Sequence, residues 1–165
     1  MLGVNEYLST SNTSSLNLLT DFSISLWYRP LQERNAGLYE LLIGRGLDLE
    51  QWSLGLNECR AGYFLWTDIA WEGQNDSDFD CGVSNSNNDW HHLVATYNNS
   101  TSTVALYKNG VLKEDSNSVL RNASHIKDLI IGNEYTGKID NVIILNISLN
   151  QSKVDSLLNM SSCCD

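Results

Sequence analysis

The sequence lacks the features that nucleic-acid-binding and membrane-spanning proteins require. It has a single proline, and its 10 lysines and arginines are outnumbered by 20 aspartates and glutamates, for a net charge of −10. This balance excludes a nucleic-acid partner, since phosphate binding needs clustered cations, and it disfavours anionic membrane surfaces for the same reason. The chain also has no apolar run of about 18 residues, so we expect no membrane insertion.

The sequence does contain short apolar stretches separated by polar turns. A chain of 165 residues with 42% apolar content is long enough for one sizeable core and too short for two ordinary domains. We therefore predict a single domain over residues 1–165. No charged and apolar signal region opens the chain. Either a signal segment has been removed, or the domain is a module or mature fragment of a larger protein.

Residues 89–110 predict a three-stranded antiparallel meander. The small polar residues 98–102 supply the first reversal, and Asn109-Gly110 can take the positive φ angles of a type I′ turn. Alternation along residues 90–97 puts apolar side chains on both faces of the first strand. A strand with two buried faces is typical of the inside of a sandwich.

Four segments support this prediction together. They are residues 3–8, residues 22–30 with alternating apolar side chains, residues 89–97 with a Trp-His pair, and residues 131–145, where Asp140 precedes a branched apolar run. In type and order they resemble the strands of laminin-G-like and pentraxin-like jelly rolls, the concanavalin A-like lectin/glucanase superfamily. The resemblance implies an all-β fold, a two-sheet antiparallel jelly-roll sandwich.

One short C-terminal helix is predicted over residues 151–158. Asn150 can cap its N-terminus, and Val154, Leu157 and Leu158 line one face. We expect this helix to lie against the sheet as a lid. Residues 31–37 and 68–89 are predicted as the longest loops.

Asparagine triplets of the form Asn-x-Ser/Thr occur eight times, where roughly three to four are expected by chance at this composition. The surplus predicts N-linked glycans on an extracellular or cell-surface glycoprotein, although an Asn- and Ser-rich surface also produces accidental matches. Asn98 and Asn99 overlap, so only one of them is expected to be modified. Turn positions such as Asn99 and Asn122 are favoured, whereas Asn146 and Asn150 require that the end of the closing strand and the start of the helix be exposed. The candidate sites are Asn12, Asn75, Asn99, Asn122, Asn146, Asn150 and Asn159, with Asn98 as the overlapping eighth.

Four cysteines also indicate an extracellular protein, where the environment is oxidising. Cys59 and Cys81 flank the central region, and we favour a disulfide between them, typically worth about 2–4 kcal/mol, because adjacent cysteines seldom bond to each other. Cys163 and Cys164 are then left for a neighbouring chain, a missing segment or a different pairing with the inner cysteines. Free thiols in a reducing compartment are the alternative.

No catalytic centre is predicted. A retaining glycosidase needs two carboxylates about 5–5.5 Å apart, commonly on one strand. The densest acidic stretch, Asp76-x-Asp78-x-Asp80, lies in a predicted loop. No serine or cysteine occupies a strained glycine elbow that would make it a nucleophile. We expect a protein that is not an enzyme.

Calcium is the one metal that the sequence suggests. The alternating aspartates at 76–80 offer oxygen ligands, but Cys81 stands where the EF-hand loop needs glycine. The resemblance implies another site, a structural Ca²⁺ on the outside of the sandwich. Its ligands would be Asp140 and oxygens of the opening strand, including Asn5 and Glu6.

The aromatic residues suggest a contact surface. The resemblance assigns Trp27 and Trp90 to core positions, whereas Trp66 and Trp71 accompany the acidic segment. We predict Trp71 in the loop itself, exposed to solvent, and Trp66 either exposed or in the core. Together with Asp76 and Asp78 they form a candidate ligand-binding surface for glycan or protein.

Two functions remain open at this stage. The first is a non-catalytic structural or adhesive module of a secreted or surface glycoprotein that self-associates or binds another protein. The terminal Cys163-Cys164 pair, the glycosylation triplets and the lack of a recognisable ligand cluster favour it. The second is a carbohydrate-binding lectin module with a bound calcium. It is favoured by Trp71 and by the resemblance, because jelly rolls of this kind commonly bind carbohydrate.

Overall fold

A computed structural model describes residues 6–11, 16, 20–31, 39–46, 52–57, 60–67, 70–75, 89–117 and 127–160. In these ranges the chain forms strands and one C-terminal helix. In chain order they are β1 (Leu8–Thr10), β2 (Phe22–Pro30), β3 (Tyr39–Arg45), β4 (Trp52–Asn57), β5 (Arg60–Thr67), β6 (Ala70–Asn75), β7 (His91–Asn98), β8 (Thr103–Lys108), β9 (Val111–Asn117), β10 (Leu129–Ile131), β11 (Gly137–Leu145) and α1 (Gln151–Met160).

The strands form two antiparallel sheets. Sheet A has the order β1-β10-β3-β4-β5-β6, and sheet B has the order β11-β2-β7-β8-β9. Strands that are distant in the chain are neighbours in both sheets, since β2 lies between β11 and β7, and β10 lies between β1 and β3. The predicted all-β, two-sheet jelly-roll architecture with one C-terminal helix is confirmed.

The main core lies between the two sheets. Alternation along β2 directs Phe22, Ile24, Leu26 and Tyr28 inward, and each is at most 2% exposed. Burying such a side chain fully is worth roughly 1.5–3 kcal/mol. The other buried members of this cluster are Leu42, Ile43, Trp52, Leu54, Leu56, Leu93, Ala95, Tyr97, Val104, Leu106 and Tyr135.

The predicted meander is confirmed as β7-β8-β9. At its first turn the Asn98 Oδ1 accepts hydrogen bonds from the backbone and hydroxyl of Ser100 and from the backbone of Thr101. At its second turn Asn109 and Gly110 have φ angles of 51° and 79°, the positive pair that a type I′ turn requires.

The outer face of sheet B is covered by α1, as the apolar residues on both faces of β7 predicted. Val94 of β7 and Tyr107 of β8 pack with Val154 of the helix in a second buried cluster. The helix begins with the predicted cap, because the Lys153 backbone N–H donates to the Asn150 Oδ1 at 3.1 Å. It extends two residues beyond the predicted end, to Met160.

Two predictions about local structure are wrong. Residues 70–75, predicted as loop, form β6 and pair with β5, so Trp71 lies in a strand directly opposite Trp66. The pairing with β5 organises this stretch, whose own composition shows no strand pattern. The opening strand was predicted at residues 3–8, of which residues 3–5 lie outside the described residues. Glu6 and Tyr7 precede β1, which begins at Leu8 where pairing with β10 starts.

Candidate functional site

A groove lies on the outer face of sheet B, between the C-terminal half of α1 and the strands β2 and β11. Its volume is about 180 Å³. We call it the Trp27 groove. Its lining residues are Ser25, Trp27, Asn141, Ile143, Leu157 and Met160.

Strand parity places Trp27 in this groove. Its chain neighbours Leu26 and Tyr28 point into the core and are fully buried, so the side chain of Trp27 lies on the opposite face of β2. It is half-buried, and its ring centroid is 5.1 Å from that of His92 on β7. The assignment of Trp27 to the core was therefore wrong. The alternation along residues 22–28 was the signal that could have shown it.

A β-bulge in β11 shapes the opposite wall. Asp140 pairs with Trp27 and Ile143 pairs with Ser25, so two residues of β11 face a single residue of β2. Within this bulge Asn141 has a φ of 48° and stays exposed, while Val142 packs against the main core. Bulges redirect side chains in this way and are frequent beside functional sites.

Ser25 lines the groove and is paired with the buried His92. The Ser25 Oγ and His92 Nε2 are 2.8 Å apart, and the two residues are 2% and 1% exposed. Burial lowers the pKa of His92 to about 4, which keeps the imidazole neutral at pH 7. A serine hydrogen-bonded to a histidine can also act as a catalytic nucleophile, with the histidine as its general base. Here, however, the buried His92 Nδ1, where an orienting carboxylate would bind, has no hydrogen-bond partner among the described residues.

The two parts of the predicted calcium site lie on different sheets. Glu6 is exposed just before β1, an edge strand of sheet A, whereas Asp140 is exposed on β11, an edge strand of sheet B. The Asp140 Oδ1 accepts the backbone N–H of Asn141 at 2.7 Å. Asn5 lies outside the described residues. In the described ranges no three His, Cys, Asp or Glu residues cluster as a metal site would require. The calcium site remains a prediction.

The structure describes only part of the predicted contact surface. Trp66 of β5 and Trp71 of β6 are register partners at one end of sheet A, and neither is among the residues that line the Trp27 groove. Asp76 and Asp78 lie outside the described residues. So do all four cysteines, Cys59, Cys81, Cys163 and Cys164, whose pairing therefore stays a prediction.

The glycosylation candidates differ in environment. Asn99, Asn146, Asn150 and Asn159 are exposed, whereas Asn98 is half-buried. Asn75 is the last residue of β6, and Asn12 and Asn122 lie outside the described ranges. No helix in the described part of the chain is long and apolar enough to cross a membrane.

Known proteins with this architecture include several toxin binding domains. The binding domain of Paraclostridial mosquitocidal protein 1 superposes with a TM-score of 0.74 at 22% identity, covering 93% of this chain and 41% of that one. The binding domain of botulinum neurotoxin DC in complex with SialylT gives a TM-score of 0.71 at 18% identity, covering 93% and 39%. The same domain with rat synaptotagmin II gives 0.70 at 18% identity, covering 93% and 42%.

The chain thus spans about two-fifths of the length of these structures, and at such identities the likeness concerns the fold. No curated protein sequence matches it. A family model does match residues 2–155, nearly the whole chain. The chain therefore belongs to the concanavalin A-like lectin/glucanases superfamily.

Proposed function

We propose that the chain is a non-catalytic recognition module that binds glycans on the extracellular side of a cell, through the Trp27 groove. The observation that carries this proposal is the half-buried Trp27 ring beside the hydrogen-bonding residues Ser25 and Asn141. An aromatic face takes up the apolar face of a sugar ring, and nearby polar groups bind its hydroxyls. Such a site recognises a ligand without reacting with it.

Two further points support binding rather than catalysis. The His92 ring beside Ser25 has no carboxylate bound to its second nitrogen among the described residues. Among the solved structures with this fold, the binding domain of botulinum neurotoxin DC is in complex with SialylT in one and with rat synaptotagmin II in another. Cell entry of botulinum neurotoxin type C depends on interaction with two ganglioside molecules. Glycans and proteins are thus partners of those domains.

A glycan array probed with the purified chain tests the proposal. We expect wild-type protein to bind a defined set of glycans and Trp27→Ala to lose that binding. Tyr7→Ala is the matched control, because Tyr7 is an exposed aromatic that precedes β1 of sheet A and does not line the groove. Binding that is unchanged in Trp27→Ala, or an array with no bound glycan, would contradict the proposal. A parallel Trp71→Ala variant tests the surface that the sequence suggested.

Self-association is a second candidate, favoured by an edge strand. Strand β9 ends sheet B and carries Val111 and Leu112, which are 57% and 44% exposed. Exposed apolar edge strands pair readily with other chains. A reducing and a non-reducing gel, with size-exclusion chromatography of wild type and Leu112→Lys, separate cross-linked, strand-paired and monomeric states. A monomer under every condition would exclude this candidate.

A further inference from the structure

We propose that the outer edge of β11 binds an extended acidic segment of a partner protein, which adds to sheet B as a further strand. This inference goes beyond the proposed function, because it concerns a second surface and a protein ligand. It follows from three features, which are the backbone groups of Gly137 and Ile139, the cations Arg29 and Lys138, and the β-bulge that ends the regular part of the edge.

The first feature is the direction of the backbone groups along β11. In antiparallel strands, pairs of residues that exchange hydrogen bonds alternate with pairs that do not. The backbone N–H of Leu31 donates to the carbonyl oxygen of Thr136, so this pair is hydrogen-bonded. Two steps along the register Arg29 and Lys138 are therefore also hydrogen-bonded, whereas the backbone groups of the intervening Gly137 face away from β2.

By the same alternation, the backbone groups of Gly137 and Ile139 both point out of the sheet edge. Strand β11 pairs only with β2, because it ends the strand order of sheet B. On the outward side, no hydrogen bond joins these two residues to another residue in the described ranges. Each of them thus offers an N–H donor and a carbonyl acceptor, which are the groups that an added strand uses.

The second feature is a pair of cations on the outer face of the same two strands. Arg29 and Lys138 are register partners, so their side chains lie side by side on the face that carries Trp27. The Nε of the half-buried Arg29 is buried without a hydrogen-bond partner, and no described residue forms an ion pair with Arg29 or with the exposed Lys138. Like charges directly opposite each other are destabilising, and an anion bound between them would relieve the repulsion.

The acidic residue of β11 on this face is Asp140. It pairs with Trp27 rather than with Arg29, and its Oδ1 accepts the backbone N–H of Asn141 at 2.7 Å. An anion for the two cations therefore has to come from outside the described part of the chain.

The charges also decide which strand the edge accepts. An added strand places one residue directly opposite Lys138, with its side chain on the same face as the cations. The backbone of Arg29 lies two strand spacings away, about 10 Å, which two long side chains can span. A glutamate or aspartate fits this position. A second copy of this chain, paired through its own β11, would instead bring the cations of both copies together, which disfavours self-pairing at this edge.

The third feature is the bulge between Asp140 and Ile143, which limits the length of the added strand. Asn141 has a φ of 48° there, and bulges interrupt the regular ladder. The regular edge therefore covers residues 137–140. On the inner face Ile139 packs against the main core, so the added residue opposite it should be apolar. The ligand is thus a short extended segment in which acidic and apolar residues alternate.

Synthetic peptides test this ligand class. The probe is the acetylated and amidated heptapeptide Thr-Glu-Val-Glu-Val-Glu-Thr, and the same peptide with lysine in place of each glutamate is the charge control. ¹H–¹⁵N spectra of the purified chain are recorded during each titration. We expect the acidic peptide to shift the amide signals of Gly137 and Ile139, and the lysine peptide to leave them unchanged. No shift with the acidic peptide would overturn the proposal.

Charge reversal tests the role of the cations. Lys138→Glu should weaken binding of the acidic peptide about tenfold and allow the lysine peptide to bind, because an attraction becomes a repulsion and the reverse. Lys153→Glu is the matched control, because Lys153 is an exposed lysine on α1, and this variant should bind the acidic peptide like wild type. Equal affinity of Lys138→Glu and wild type for the acidic peptide would contradict the assigned site.

Amide hydrogen exchange tests the open edge without any ligand. We expect the N–H groups of Gly137 and Ile139 to exchange faster than that of Lys138, which faces β2, and the acidic peptide to slow them. Equal protection of all three amides in the unbound protein would overturn the proposal. The same measurement on Lys138→Glu shows whether the variant keeps the native sheet.

The outcomes separate this inference from the proposed function. Glycan-array binding without any binding of the acidic peptide overturns the inference alone. Peptide binding together with an array that holds no bound glycan overturns the proposed function alone. Signals that shift at Val111 and Leu112 instead of Gly137 and Ile139 would assign the peptide to the β9 edge and overturn the inference.

Discussion

The guanidinium group of Arg45 donates two hydrogen bonds to the backbone carbonyl oxygen of Lys127, from Nε at 3.0 Å and from Nη2 at 2.7 Å. Arg45 ends β3 and is completely buried. Burial lowers the pKa of Arg45, and the neighbouring Asp128 opposes that shift by favouring the charged form. The Arg45–Lys127 contact joins the segment that precedes β10 to the end of β3 in sheet A.

Arg45→Lys should lower the free energy of unfolding by about 1–3 kcal/mol, since a lysine ammonium cannot reproduce a two-nitrogen contact with one oxygen. Urea unfolding followed by tryptophan fluorescence measures the change. Lys127→Ala is the control, because it keeps the carbonyl acceptor and removes only the side chain. An equal loss in both variants would mean that the hydrogen bonds are not the cause.

The stability of the protein should fall as the pH drops from about 6.5 to about 4. The pKa of His92 is lowered to about 4 by burial, whereas the unfolded chain binds this proton near its ordinary value of about 6.5. In that window the unfolded state therefore holds more protons, and acid favours it. Urea unfolding at pH 7, 6 and 5 measures the slope. In His92→Gln the part of the slope between pH 6.5 and 5 should shrink, and an unchanged slope would exclude His92 as its source.

Gly110→Ala should destabilise the fold by more than about 1 kcal/mol, since a side chain is disfavoured at its φ of 79°. The new Cβ would also meet the Leu158 Cδ2 at 2.9 Å and displace the end of α1. Thermal unfolding measures the loss. Asn109→Gly keeps the turn geometry and serves as a comparison that removes only the hydrogen bond to His92. A Gly110→Ala protein as stable as wild type would contradict the structure of this turn.

The N-cap of α1 can be tested separately from glycosylation. Asn150→Ala should cost about 1 kcal/mol, because it removes the oxygen that accepts the Lys153 N–H. Asn150→Asp removes the glycosylation triplet but keeps the capping oxygen, and it should unfold like wild type. Protein made without glycans is used for both, with urea unfolding as the measurement. Equal losses in the two variants would show that capping is not the cause.

Glycan attachment should discriminate between two adjacent asparagines. The Asn98 Oδ1 is engaged in the turn and its side chain is half-buried, while Asn99 is exposed. We predict a glycan on Asn99 and none on Asn98 when the chain passes through a eukaryotic secretory pathway. Glycopeptide mass spectrometry of wild type and Asn99→Gln measures the occupancy. A glycan on Asn98 in wild-type protein would refute the prediction.

Short-range patterns in the sequence were sufficient to predict individual strands, turns and the helix cap. The alternation along residues 22–28, the Asn109-Gly110 turn and the Asn150 cap each act over a few residues, so their physics is visible in the chain alone. The apolar residues on both faces of residues 91–97 were sufficient to predict that β7 is covered on its two sides.

Long-range pairing decided what local patterns could not show. Strand β6 pairs with β5 along its length. Arg45 can be buried because the carbonyl oxygen of a residue 82 positions later accepts its hydrogen bonds. The Trp27 groove brings β2, β11 and α1 together, so no single stretch contains it. Two layers of strands and a C-terminal helix could be predicted from the amino-acid sequence, since backbone propensities and side-chain parity are local. The contacts of His92 with Ser25 and Trp27 could not be predicted in this way, since contacts between distant strands depend on the packing of the whole chain.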